Sequence, residues 1–395
     1  MVSRQSVIGM NHQETTKGTI LYVGGFELPD RNAAANRVIS NGKIFAQLGY
    51  RVAYLGMAAE GDHFEGVRTA EWQPDVYEEA HPCGTTEWLT HLFSTQNVET
   101  VMKHYEDLRM IVVYNVPFVT LKRIKRLCKK ASVRVVYDCT EWSADTEGSL
   151  PKRLFKKWDE RYVRTKIGRV SDGLIVISRC MEQQYAPHTE RLLRLPPLVD
   201  LNDPMWHHTT DQHEGQFEFC FAGGLDGNKE SLDRIVEAFC RLEDARARLR
   251  IIGVTAEAFY RYYPQAPTAS DDRIMFMGRL SHKDTIRYVL GCDCYIFVRM
   301  ADRRNTAGFP TKFAESFSCG VPIITTDVSD VAAYVQQGNR GEILTSTEVD
   351  VIYQAMQRRL QKTDLVSEKA LDHTFHYETY LTQTSQWLKD MLGCE

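Results

Sequence analysis

The stretch FVRMADRRNTAGFPTKFAESFSCGVPIITTD, residues 297–327, decides the fold. It leaves an apolar strand, crosses a loop carrying Arg299, Arg303 and Arg304, and passes Ala307-Gly308-Phe309-Pro310 into a helix beginning near Thr311. Cys319-Gly320-Val321-Pro322 then stops the helix, and the β-branched run that follows reads as the next strand. Strand, helix and strand in that order form the repeating unit of a parallel sheet. The helix start exposes unpaired N–H groups and a partial positive charge, to which Lys312 adds a full one, so an anionic diphosphate is well received there. One turn on, Glu315 is placed to accept hydrogen bonds from a ribose diol. An ordinary unit with Glu315 on a solvated face is the plainer reading.

The same pattern extends in both directions. FEFCFAGGLDGNKESLDRIVEAFCRL (217–242), LRIIGVT and RIMFMGRLSHKDTIRYVLGCDCYIFVRM complete a doubly wound second half. The first half opens on TILYVGGFELPDRNAAANRVISNGKIFAQLGYRVAYLG, a strand, a Gly-Gly turn, a helix of about 14 residues stopped at Gly49, and a second strand. Further strands are expected at 110–114, 133–138 and 173–178. Between the halves, LRLPPLVDLNDP and the polar HHTTDQHEGQ read as a linker that holds the surface pair His207-His208. The expectation is α/β: two Rossmann-like domains, 1–197 and 198–375, facing across a cleft, with 376–395 a terminal helix packing back towards the first.

Composition narrows the function. With 395 residues, 43% hydrophobic and 25% charged, the chain is an ordinary globular protein rather than a fibrous or disordered one. Its longest nearly uncharged apolar stretch, MIVVYNVPFVT, is about half of the ~20 residues that span a bilayer, and the polar start has no signal-peptide character. A cytoplasmic protein with reduced cysteines is expected, and its ten cysteines show no C-x-x-C spacing. Cys292 and Cys294 read as a packed core pair on one strand face, and none of the twelve histidines has metal-ligand spacing, so no metal is expected. A net charge of −4 argues against a nucleic-acid partner. Residues 122–169, however, hold 15 basic and 6 acidic side chains among regularly spaced apolar ones. That segment reads either as a solvated helix face or as a peripheral contact with an anionic membrane, here the inner face of a plasma membrane.

Two glycine turns, Gly24-Gly25 and Gly223-Gly224, follow the first strand of each half. Neither fits G-x-G-x-x-G and no P-loop occurs, so dinucleotide oxidoreductases and P-loop NTPases lose their support. Lacking Cβ atoms, these turns still let backbone N–H groups approach a diphosphate. VVYDCTEW sets Asp138 and Glu141 at a strand's carboxyl end, where either could hold an acceptor hydroxyl, an N-cap being the alternative for Asp138 or Thr140. Arg37, on the first helix, is either a cleft or a surface residue.

The decisive stretch resembles the donor-binding motif of the family-4 retaining glycosyltransferases, which have the GT-B fold, in the FPTKF-x-E variant of a capsule and surface-polysaccharide branch. The resemblance spans about residues 19–390 and is strongest over 273–330. It implies ribose contact for Glu315, phosphate contact for Lys312 and for Lys229 in GNKES, and a donor cradle from Gly24, Gly25, Gly223, Gly224, Gly308, Phe309, Pro310 and Thr311. FMGRLSHKD is similar to the family's nucleobase loop, which implicates Arg279 and Leu280. Two positions depart from the pattern: Ala307 stands where the family has its first glutamate, and Gly224 where it has an arginine that Arg299, Arg303 or Arg304 could replace.

The implied reaction is metal-independent retaining transfer of a hexosyl group from a nucleotide-sugar co-substrate, a UDP-sugar foremost, with no other cofactor. The acceptor would be a saccharide or lipid-linked saccharide, bound by the first domain through Arg37, Asp138 and Glu141. Lys229, Lys312 and Glu315 would form the catalytic group, a donor phosphate oxygen taking the acceptor proton. A catalytically silent GT-B partner of another transferase and a nucleotide-sugar epimerase are the competing readings.

Overall fold

A computed structural model describes residues 16–142, 150–207, 215–225, 230–266, 271–338, 340–362 and 370–393. The chain divides into two units, Met1–Leu198 with Tyr377–Glu395, and Val199–His376.

In the first unit β1 (Thr19–Gly24), β2 (Arg51–Met57), β3 (Val67–Thr69), β4 (Val76–Glu79), β5 (Leu108–Tyr114), β6 (Arg134–Cys139), β7 (Gly173–Val176) and β8 (Leu192–Arg194) form one sheet. Their order is β3-β4-β2-β1-β5-β6-β7-β8, parallel except where β3 runs against β4. Every residue of β1 is buried, as befits a central strand with both faces covered. The helix Ala33–Gln47 starts where the Asn32 side chain accepts from the Ala35 N–H (2.9 Å), and it packs Val38, Ile44 and Phe45 beneath Tyr22 and Tyr54. The terminal helix Leu381–Leu392 returns to this unit, where Trp387, Leu388 and Met391 join the same core as Leu193 and Leu195. Gly173 makes room for it, since a Cβ there would lie 2.7 Å from Met391 Sδ.

The second unit has β9 (Phe217–Ala222), β10 (Ala247–Ile252), β11 (Ile274–Phe276), β12 (Cys294–Phe297), β13 (Ile323–Thr326) and β14 (Gly341–Leu344). All are parallel, in the order β11-β10-β9-β12-β13-β14. This is the 3-2-1-4-5-6 order of the doubly wound fold, with its topological switch point between β9 and β12, where such sheets bind ligands. Cys292 and Cys294 are buried free thiols at the start of β12. The arginine-rich stretch, expected as a loop, contains the short helix Arg303–Ala307, nucleated where Asp302 accepts from the Asn305 N–H (2.7 Å). Among the described residues no helix is long and apolar enough to cross a membrane.

Candidate functional site

The site forms where three strands of the second unit end. After β9 the Gly223 N–H donates to Ile252 O (2.8 Å), and after β10 the Gly253 N–H donates to Gly278 O (2.7 Å). Gly253 has φ +99°, and a Cβ on it would stand 2.3 Å from Gly223 O, so this lacing requires glycine. The Gly278 N–H in turn donates to Val254 O (3.1 Å), which lifts Arg279 and Leu280 over the opening. Together these turns wall a hollow of ≈ 210 Å³ with Ala222, Ile252 and Tyr295 at its base and Gly223, Gly224, Arg279 and Leu280 on one side. Lys312, Glu315 and Ser316 line it from the helix Thr311–Ser318.

Helical spacing explains that presentation. Phe313 and Phe317 turn inward onto an aromatic cluster with Phe309, Tyr334 and Phe375, all with ring centroids within 6.3 Å of their neighbours. Residues 312, 315 and 316 then share the opposite face. Lys312 lies close enough to the glycine turn that a Cβ on Gly223 would come within 2.7 Å of its Nζ. Glu315 Oε1 lies 2.9 Å from His282 Nε2, where the imidazole N–H donates to the carboxylate.

Behind Lys312 stands a carboxylate that sequence reasoning passed over. Glu230 Oε1 accepts from Arg299 Nη2 (2.7 Å) and from Lys312 Nζ (3.4 Å). Burial works against its charge, but Lys312 and Arg299 outweigh that and hold its carboxyl below the ordinary range. It arrives there because residue 230 makes an isolated antiparallel bridge with residue 299, and the Ser231 N–H donates to Val298 O (2.9 Å). His282 was missed as well. The sequence hint for it was Ser281, which caps the helix His282–Gly291 and so sets His282 on its first turn, facing Glu315.

Of the expected site residues, the structure brings Gly223, Gly224, Arg279, Leu280, Lys312 and Glu315 to one hollow. Lys229 lies outside the described residues. Arg299 does not line the hollow; it grips Glu230 with its Cζ 5.0 Å above the Phe297 ring. Gly308 is no phosphate donor, because its N–H is given to Arg304 O (3.0 Å) and its carbonyl accepts from Ser329 Oγ. Phe309 is packed in the aromatic cluster and the buried Pro310 has no N–H to offer, while Thr311, half-buried, begins the helix without reaching the hollow.

In the first unit Arg37 and Asp138 correct the expectation of acceptor contact. They form a bidentate ion pair (Nη2–Oδ1 2.7 Å) with 5% and 0% of their side chains exposed. Arg37 Nη1 also donates to Leu195 O (3.0 Å), and Tyr22 and Asn41 donate to Asp138 Oδ2 (both 3.3 Å). Although burial opposes its charge, Asp138 holds the Arg37 guanidinium above its usual value. Groups so enclosed and so fully bonded support the fold and touch no ligand. Glu141 is exposed just beyond β6. Gly25 is exposed after β1, whereas buried Gly24 is required by close approach, a Cβ there meeting Tyr114 O at 2.5 Å. A second hollow, ≈ 490 Å³, opens past β1, β2 and β4, lined by Glu27, Glu60, Asp62, His63, His81 and Cys83, with Asp62 paired to Arg68.

Known proteins resemble the chain at two levels. Residues 216–362 match the family described as glycosyl transferases group 1. Sucrose-phosphate synthase from Thermosynechococcus elongatus superposes with a TM-score of 0.68 at 13% identity, covering 96% of this chain and 100% of its own. The fold is GT-B. Anabaena HepE in complex with UDP gives 0.65 at 14% identity (94% and 100% covered), and the catalytic domain of starch synthase IV from Arabidopsis thaliana, bound to ADP and acarbose, gives 0.67 at 11% (95% and 100%). No curated protein sequence matches the chain. The residues that match the glycosyl transferases group 1 family fall within the second unit of this GT-B fold, and every residue lining its hollow lies among them.

Proposed function

We propose that the protein is a retaining, metal-independent glycosyltransferase that moves a hexosyl group from a nucleotide-sugar, a UDP-sugar foremost, to a saccharide or lipid-linked saccharide in bacterial surface-polysaccharide synthesis. One observation carries this: Lys312 Nζ, at a helix N-terminus and against Gly223, shares a hollow at the switch point with Glu315 one turn away. A cation beside the positive end of a helix is what a leaving diphosphate needs as negative charge builds on it. A carboxylate at the spacing of Glu315 suits the ribose. Anabaena HepE, whose structure contains UDP, and starch synthase IV, bound to ADP, share the fold, so the screen below includes both nucleotides.

In this reading Lys312, with Lys229, holds the donor phosphates and Arg279 and Leu280 border the base. A donor phosphate oxygen takes the acceptor proton, so no protein base is required. The acceptor side passes from the enclosed Arg37–Asp138 pair to the second hollow of the first unit, whose carboxylates and imidazoles match neutral hydroxyls. Contact with an anionic membrane, on the cytoplasmic face, is assigned to the basic 122–169 segment. Exposed Leu89, Phe93, Leu154 and Trp158, with Trp88 against Phe155 (5.3 Å), supply apolar side chains beside its positive charges.

The test is a thermal-shift screen of the purified chain with UDP, ADP, GDP, dTDP and their sugar conjugates, followed by NMR of the product anomer. One nucleotide should raise the melting temperature and lose that effect in Lys312→Ala and Glu315→Ala. Flat curves with every nucleotide would replace this reading by the silent partner, and donor consumption without acceptor by the epimerase.

A further inference from the structure

We infer that Glu230 is a resident anion of the diphosphate site: in the empty protein it holds Lys312, and an arriving diphosphate takes Lys312 away from it. This rests on reading the second-unit hollow as a nucleotide-diphosphate site. It adds a residue whose charge works against binding and so tempers the affinity for donor and for the leaving nucleotide alike.

The geometry of the three side chains points this way. One oxygen, Oε1, serves both cations, tightly for Arg299 (2.7 Å) and loosely for Lys312 (3.4 Å). Glu230 and Arg299 are 7% and 14% exposed, whereas Lys312 is 33% exposed and borders the hollow. The backbone of Glu230 is tied by the bridge to residue 299 and the neighbouring Ser231–Val298 hydrogen bond, and its carboxylate is buried against Arg299, which holds it back from a lysine that swings towards a ligand. Lysine, a point charge on a long stem, can make that movement. Departure of Lys312 leaves no uncompensated buried charge, because the tighter Arg299 contact remains. A carboxylate with no part in ligand binding would need only Arg299. With two cations and one anion the group presents a single net positive charge to a diphosphate, and neutralising Glu230 would present two.

The test is calorimetric titration of wild type and Glu230→Gln with inorganic pyrophosphate, UDP and uridine. Glu230→Gln should bind pyrophosphate and UDP about 3- to 10-fold more tightly, with a steeper salt dependence, and uridine unchanged. Tightening is the opposite of what a damaged site gives, so it separates a resident anion from a prop for Lys312. Unchanged or weaker binding of the diphosphates, with wild type binding UDP, would overturn the inference and leave the functional reading standing. If pyrophosphate tightens while UDP binds neither protein, the anion site stands and the nucleotide reading falls; if nothing binds either protein, both fall. Should the variant fail to fold, a crystal structure of wild type with UDP decides: Lys312 must have left Glu230 while Arg299 keeps it, and a Lys312–Glu230 contact surviving beside bound UDP refutes the inference.

Discussion

The two units each bury an arginine against a carboxylate, and the difference between those two clusters separates fold from site. Arg37 and Asp138 are sealed, and their remaining polar atoms are met by Leu195 O, Tyr22 and Asn41. In Glu230–Arg299–Lys312 the same chemistry is left open on one side, with a mobile-stemmed cation turned to a hollow. Residue type does not distinguish them. What does is whether a cation can leave its partner at little cost.

The comparison breaks first at Asp138. Asp138→Ala leaves the Arg37 guanidinium buried without its counter-ion, for an expected loss of about 3–5 kcal/mol of stability. Urea unfolding measures it, and Arg37→Met/Asp138→Leu together should recover much of the loss. A shift below 1 kcal/mol would mean the pair is not sealed.

Lys312→Ala should behave in the opposite way. Glu230 keeps Arg299, so the melting temperature changes little, but a nucleoside diphosphate loses a charge-assisted contact worth roughly 10- to 100-fold in Kd. Destabilisation with unaltered nucleotide affinity would reverse the assignments of the two clusters.

A half-buried carboxylate, Asp159, sharpens the contrast through pH. Asp159 accepts from the Phe118 N–H (2.7 Å), yet burial pushes its pKa up to about 6 against that bond. Because the folded value exceeds the unfolded one near 3.9, the folded state gains from protonation; this stability is complete below about pH 4 and is lost as pH rises through 6. Asp159→Asn keeps an acceptor for Phe118 and removes the charge. It should add about 1–2 kcal/mol at pH 8 and nothing at pH 4. Equal effects at the two pH values would refute it.

Most of the architecture could be read from the sequence because parallel strands buried on both faces leave uninterrupted apolar runs, as in β1, β5 and β12. The antiparallel edge β3 could not, since its three residues are largely exposed and carry no alternation. In the site, Lys312 and Glu315 were legible because helical spacing fixes both to one face of a single element. Glu230 and His282 were not. Their partners are 82 and 33 residues away, and although the Ser281 cap places His282 on a first helical turn, no local pattern names the partner that either side chain meets. Arg37 and Asp138, 101 residues apart, misled for the same reason: a strand's carboxyl end suggests function, and only the fold shows that a helix has covered it.

The smallest effect tests the finest part of the site. Glu315→Gln keeps an oxygen able to accept from His282 Nε2, so the helix and its neighbour need not move, but it replaces the carboxylate that would receive two ribose hydroxyls. The loss should be about 1 kcal/mol, roughly fivefold in affinity, for UDP. Wild type should therefore prefer UDP to its 2′-deoxy analogue by a similar factor, and the variant should scarcely tell them apart. If the preference survives in Glu315→Gln, the sugar is read by another group, and Glu315 serves to orient His282.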